Sequence, residues 1–521
     1  MKISKKFLTE IIFVFIIIIS SLAIRFYKIE ALPNGFEGDA FAWGITSLFA
    51  MHDISPSEKG LYALNATMAK SYPVSIKINQ LGFTLFGKDL YSSRKILTLF
   101  SVFAVVSFYF LSRSFFNPII SFCITLLYSL STYKLIITRI ALEPAYADLF
   151  LYFFILMILL ISTKNKKSNI FLSLAATLGI VLGTFSYALS FIFPVLGMLL
   201  LIIQLLKTDL KIREKILLLV IFFIPFIIIF SKWINNILLE PQLKDYASAN
   251  VAFDMKTFKP DILKLEANLL TINGQLFQEL TYETSDMVVS YNDTIILLPI
   301  VYLALGGFYL SLLNIKKYYP LQIWFALFFL PMVLLELYVP RFWVNGIGVF
   351  FIFAGIPFKF LYSIIRPKFT SVVNSVLYLL ILFLIFFGVF EFYNNAVKNQ
   401  SFIPSLGELA IINREFKNNI SDNVAFISSK QFNKVAIHPV TTFYYLAQNP
   451  DKAKEIKFMT QQDMLIFNRK EFMNLTFEEV AGFRNIVVDN DYNKEIKDYL
   501  KLSLKQAFKM KKLDYFTIYE L

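Results

Sequence analysis

Asn34-Gly35-Phe36-Glu37-Gly38-Asp39-Ala40 follows closely on an apolar run, Phe7 to Ile24, that is long enough to cross a bilayer. The stretch places two carboxylates, Glu37 and Asp39, on a glycine-containing loop at a membrane surface, and the rest of the chain reads as a frame built around that loop. Phe7 to Ile24 has no convincing small-residue cleavage site after it, so it is read as a retained first helix rather than a signal peptide.

Working outward, ten further runs of about 18 mainly apolar residues recur along the chain, each able to span a hydrocarbon core about 30 Å thick. They are Leu90 to Leu111, Ile119 to Ile136, Ala141 to Ile161, Ile170 to Ala188, Phe191 to Leu206, Ile216 to Trp233, Thr294 to Leu313, Tyr318 to Leu337, Gly346 to Ile364 and Val372 to Tyr393. Of the 521 residues, 57% are hydrophobic, above the roughly 45–50% of soluble domains. The expected fold class is therefore an all-α polytopic membrane protein of about eleven spans. The net charge of +13 is carried largely by short loops, such as those with Lys164, Lys166 and Lys167 or Lys316 and Lys317, so the positive-inside bias accounts for it and nucleic-acid binding is not expected. With eleven spans these basic loops fall on one side, which puts the N-terminus in the cytoplasm and the loops 25–88 and 234–293 outside. Cys123 is the only cysteine, which excludes an intramolecular disulfide.

Two stripes at helical spacing lie in the long loops: Phe41, Ile45, Leu48, Phe49 and His52, and Ile262, Leu265, Leu269, Ile272 and Leu276. Packing on the bundle and lying in the membrane interface fit them equally. After Tyr393 the composition turns polar. Strand-like runs Val424 to Ser428, Lys457 to Met459, Asn485 to Val488 and Tyr515 to Tyr519, a capping box at Ser405 and Glu408, and a helix from Asn493 to about Leu504 predict a small α/β domain over 394–521. The transmembrane module is then 1–393, and the C-terminal domain lies outside. Asp489-Asn490-Asp491 reads as a strand-to-helix turn.

Charges within reach of the bilayer are the informative ones, since each costs about 2.5–3.5 kcal/mol at depth on insertion scales. Arg139 and Glu143 stand four apart at the start of a predicted span, where they either pair with each other or serve a ligand. Arg94 and Lys95 open the second span, and Arg341 follows Pro340 at the end of another, all on the side that the positive-inside bias disfavours. An anionic ligand would account for them, and so would snorkelling to lipid phosphates.

Several stretches, in order, resemble the bacterial GT-C membrane glycosyltransferases related to protein O-mannosyltransferases and lipid A aminoarabinose transferases. They are Leu32 to Ala40; Tyr72-Pro73, then Leu85-Phe86-Gly87 and Ser93-Arg94; Thr138 to Glu143; Gly179, Gly183, Ser186 and Tyr187; and, more weakly, Pro340-Arg341. The likeness is close over about the first 200 residues and architectural beyond. It implies inverting transfer of a sugar from a polyprenyl-phosphate donor to an acceptor hydroxyl on the external face. It implies Asp39 as catalytic base with Glu37 beside it, and Arg139, Arg94 and Arg341 as ligands of the donor phosphate. Glu143, Tyr72 and Tyr187 are further site candidates. Many relatives have Asp-Glu where this chain has Asp39-Ala40, so no cofactor is assigned and a divalent metal is left open. A secondary transporter or lipid flippase is the alternative class; it predicts paired repeats with broken helices, and no internal repeat is evident. The Lys-, Ile-, Asn- and Phe-rich composition suits a bacterial plasma membrane.

Overall fold

In the computed structural model the chain is mostly helical and carries a small C-terminal sheet. The described residues are 5–30, 38–53, 72–139, 144–162, 166–187, 190, 192–238, 253–254, 259–260, 262–277, 298–334, 344–365, 424–428, 466–504, 508–513 and 516–521, with 383, 390, 412, 443 and 447 singly.

The membrane part comprises α1 (Lys5–Phe26), α2 (Gly38–Met51), α3 (Pro73–Phe86), α4 (Leu90–Arg113), α5 (Pro118–Ser129), α6 (Thr132–Arg139), α7 (Pro144–Leu159), α8 (Lys166–Thr184), α9 (Ile192–Lys207) and α10 (Ile212–Leu238). A two-residue antiparallel pair, β1 (Phe253–Asp254) with β2 (Lys259–Pro260), precedes α11 (Ile262–Phe277), α12 (Leu298–Leu313), α13 (Ile315–Leu334) and α14 (Val344–Ile365). Ten of the eleven predicted runs thus hold helices. The last, Val372 to Tyr393, lies outside the described residues apart from Phe383 and Phe390, both helical. Among the described residues four helices are long and apolar enough to cross a membrane, five if α5 and α6 count as one broken span, and α7, α9 and α12 are shorter apolar helices.

The surface of this bundle inverts that of a soluble protein: α1 exposes Phe7, Ile11, Phe15 and Ile19, while Arg25, Arg94, Arg139 and Asp148 are buried. Exposed apolar side chains with charges turned inward are what a hydrocarbon solvent selects, because polar groups there must find partners within the protein. Close approach uses small residues. A Cβ at Gly307 of α12 would lie 1.9 Å from the Phe353 carbonyl oxygen of α14, so only glycine permits that crossing.

Three expectations are corrected. Asp39 stands in the first turn of α2 and not on a loop; the apolar, alanine-rich residues after it propagate a helix, and a carboxylate is favoured at its positive end. Arg139 ends a helix and does not start one, because Pro144, confined to a first helical turn, opens the next. The third predicted run is two helices meeting at 61° around Leu130 and Ser131. The stripes pack inward in part: Ile45, Leu48 and Phe49 are buried on α2, and Ile272 and Leu276 of α11 join the core of the bundle, whereas Leu269 of the same stripe is exposed.

In the C-terminal part, five strands run in the order β4 (Ile466–Asn468), β3 (Val424–Ser428), β5 (Asn485–Asp489), β7 (Phe516–Glu520), β6 (Lys509–Lys512). β3 is parallel to β4 and β5, and β7 is antiparallel to β5 and β6. Two short helices, α15 (Arg469–Met473) and α16 (Phe477–Ala481), and the longer α17 (Asn493–Ser503) cover one face, with Phe472, Val480, Ile496 and Leu500 packed on Ile427, Ile486 and Val488. Asn490 to Tyr492 forms the expected strand-to-helix turn, as a 3-10 turn. The working capping box is Thr476 with Glu479; the predicted Ser405–Glu408 box and the run Lys457 to Met459 lie outside the described residues.

Candidate active site

At one end of the bundle the C-terminus of α1 is gripped by cations from three directions. Arg139, fully buried at the end of α6, donates through Nη1 to the carbonyls of Ile24 (3.1 Å) and Arg25 (3.0 Å), and through Nη2 to those of Tyr27 (2.7 Å) and Lys28 (2.9 Å). A helix C-terminus leaves four carbonyls without intrahelical partners and carries partial negative charge, and this guanidinium meets both needs at once. Lys28 adopts φ 47° as the chain leaves the helix. Arg94, buried in the first turn of α4, donates to Ile29 O (3.2 Å) and lies over the Tyr91 ring. Lys95 pairs with Glu30 at 2.6 Å. Asp89 caps α4 by accepting from Tyr91 N, which sets the direction in which Arg94 and Lys95 leave the helix. All three cations therefore fasten residues 24–30, the anchor from which the chain runs to Glu37 and Asp39.

α2, which carries Asp39, is held from the other side by α3. Tyr72 packs edge-on against Trp43 with centroids 5.9 Å apart, and Gln80 donates to Ser47 O. Beneath α3, Tyr146 donates to Ser75, and Ser75 to Ser186 O, next to the buried Tyr187. From the C-terminal part, the buried Phe443 reaches this wall. Its ring lies 5.7 Å from that of Phe83, and a Cβ at Gly44 of α2 would stand 2.8 Å from it.

A buried polar network that sequence reasoning missed lies on the core side of Arg139. Lys134 of α6 forms an ion pair with Asp148 of α7, Tyr128 donates to the same carboxylate (2.7 Å), and Tyr152 donates to Tyr128 (2.9 Å). Arg25 donates to Ser129 Oγ (2.9 Å), which is also hydrogen-bonded to Ser21. The signal was present: Lys134 and Asp148 interrupt apolar runs, where a charge is costly unless partnered. Their separation by a helix break hid the pairing.

Of the predicted site residues, the structure brings Arg139, Arg94 and Tyr72 to one end of the bundle with α2, and it buries Tyr187 in the core. Glu37, Glu143 and Arg341 lie outside the described residues, as does the Asp39 side chain; the predicted Arg139–Glu143 alternative falls there too. Among the described residues no three His, Cys, Asp or Glu side chains converge. An apolar cavity of about 270 Å³ opens between α11, α12, α13 and α14, lined among others by Ile272, Leu276, Val301, Phe308, Phe325 and Phe353.

No family model and no curated protein sequence matches the chain. Solved structures do. ArnT from Cupriavidus metallidurans bound to undecaprenyl phosphate superposes with a TM-score of 0.53 at 12% identity, covering 97% of both chains. The archaeal oligosaccharyltransferase AglB from Archaeoglobus fulgidus, in complex with an inhibitory peptide and a dolichol-phosphate, gives 0.52 at 11% identity over 98% of this chain and 74% of its own. Both are GT-C glycosyltransferases, and at these identities the likeness establishes a shared fold.

Proposed function

We propose that this chain is an inverting glycosyltransferase that moves a sugar from a polyprenyl-phosphate donor to a hydroxyl of a protein, lipid or glycan at the external face of a bacterial plasma membrane. The observation that carries the reading is agreement of fold along essentially the whole length of ArnT, a protein solved with undecaprenyl phosphate bound. In the reaction the acceptor oxygen attacks the anomeric carbon as the bond from that carbon to the phosphate oxygen breaks. Polyprenyl phosphate leaves, and the acceptor proton passes to Asp39, a step worth typically 10²–10⁴-fold. Glu37, two residues earlier in the chain, is the second carboxylate assigned to the reaction. Arg94, Arg139 and Arg341 supply positive charge to the departing phosphate. Because four N–H groups of Arg139 are already given to carbonyls of residues 24–28, it acts through its charge and through the segment it holds rather than by a two-pronged grip. Glu143 is a third carboxylate of the site, and Tyr72 and Tyr187 shape its walls. The apolar cavity under α11 offers room for part of the isoprenoid chain.

In the proposed topology the N-terminus is cytoplasmic, 1–393 spans the membrane about eleven times, and 394–521 is an external α/β domain. The test is transfer from a panel of radiolabelled polyprenyl-phosphate sugars in membranes holding the wild-type chain or Asp39→Asn at matched expression. Consumption of one donor by the wild type, lowered at least 10²-fold in Asp39→Asn, is expected. Equal turnover by both would remove Asp39 as the base, and flipping of a donor without its cleavage would favour the flippase class.

A further inference from the structure

At the opposite end of the bundle, far from Arg139, four lysines from three helices flank the start of α13 as two neighbouring pairs, Lys207 with Lys316 and Lys359 with Lys317, and among the described residues no acid pairs with them. Lys207 ends α9, Lys316 and Lys317 lie in the first turn of α13, and Lys359 lies within α14, six residues before its end. The Lys207 ammonium sits 3.6 Å from the centre of the Tyr319 ring and donates to the Lys316 carbonyl. Lys317 lies over the Tyr318 ring, which stacks on Phe115, and the half-buried Lys359 donates to the Phe115 carbonyl (3.3 Å), which brings it beside Lys317. Among the described residues none of the four forms an ion pair. Glu10, the acid on this end of α1, is engaged by Arg113 at 2.8 Å and by Tyr109.

The arrangement is unfavourable as it stands. Two cations occupy the first turn of α13, at the partially positive end of the helix, and that turn has no acidic residue. Topological bias explains lysines in a loop, but it does not explain a lysine inside α14 turned back toward Lys317. An anion accepting from these ammonium groups removes the repulsion. Leu206, Leu313, Ile315 and Phe360 beside the cluster are all exposed, so the site opens onto an apolar surface. We propose that Lys207, Lys316, Lys317 and Lys359 form a binding site for the phosphate of an anionic phospholipid of the leaflet opposite the active site, whose acyl chains run along those four side chains. The proposal does not depend on the transferase reading.

The test uses the full chain in nanodiscs of phosphatidylcholine, with phosphatidylglycerol added or not, and follows thermal unfolding. A ligand that binds the folded state raises the midpoint, so phosphatidylglycerol should raise it by several degrees in the wild type and in Lys211→Gln, which removes a charge on the same end but outside the cluster. The shift should vanish in Lys317→Gln/Lys359→Gln. A shift retained by the double variant, or lost equally in Lys211→Gln, overturns the site in favour of general charge attraction. Inorganic phosphate producing the same shift in phosphatidylcholine overturns the lipid assignment in favour of a soluble phosphate. Should the double variant not fold in phosphatidylcholine, Lys207→Gln is measured in its place with the same two outcomes.

Discussion

Asp148 shows what a single buried charge requires in this bundle. It is fully enclosed and takes hydrogen bonds from Lys134 and Tyr128. Removing one partner of such a pair leaves the other buried and uncompensated, at a cost of about 3–5 kcal/mol, whereas replacing both with apolar residues is often neutral. Asp148→Asn should therefore lower the thermal unfolding midpoint in detergent markedly, and Lys134→Met/Asp148→Leu should restore most of it. If the double variant is as unstable as the single, the pair is not an isolated strut but part of a wider network. Arg139 follows the same logic with backbone in place of a carboxylate, since its four acceptors are two carbonyls at the end of α1 and two in the turn that follows. Its charge was legible in the sequence as an arginine on the disfavoured side. Its acceptors were not, because they lie more than a hundred residues away and carry no side-chain signature.

Among the elements, helix ends decide most of the local geometry. α16 is short and stands on its cap: Thr476 Oγ1 accepts from Glu479 N, while Glu479 Oε2 accepts from Thr476 N (2.7 Å) and from Thr476 Oγ1 (2.9 Å). The backbone N–H of Thr476, with its hydroxyl, holds the Glu479 carboxyl below its ordinary value of 4.5. A pKa lower in the folded than in the unfolded state gives stabilisation that is present above the unfolded value and lost as pH falls through the folded one. Acidification below about pH 4.5 should therefore increase hydrogen exchange over Phe477–Ala481 in the wild type. Glu479→Gln should show fast exchange there already at neutral pH and little further change on acidification. Identical profiles would mean that the box does not hold the helix. Three elements of the C-terminal sheet, Val424–Ser428, Asn485–Asp489 and Phe516–Glu520, were visible in advance as short β-branched and aromatic runs. Lys509–Lys512 was not, since an edge strand with all four side chains exposed carries no apolar pattern.

For the whole molecule, a contact between the C-terminal part and the helices near the site is made, among the described residues, by Phe443. Its ring is buried between Phe83 and Gly44, so the C-terminal part touches the helix that bears Asp39. Truncating a buried phenylalanine costs about 3–5 kcal/mol. Phe443→Ala should lower the unfolding midpoint and raise hydrogen exchange in Gly38–Met51, and unchanged exchange there would show that α2 is held by α3 alone. The sequence by itself determined the class of the protein: apolar runs of bilayer length can satisfy their backbone only as helices, and the positions of the ten described runs follow from that. It also determined which end of the bundle gathers the charges that topology disfavours, because those charges must be matched to a ligand or a partner. Tertiary structure alone decided what they touch. Whether Arg139 meets a carboxylate, a ligand or the end of α1, and whether Lys359 meets lipid or another lysine, depends on which helices stand side by side. That choice is made by packing between segments far apart in the chain, for which periodicity and composition have no term.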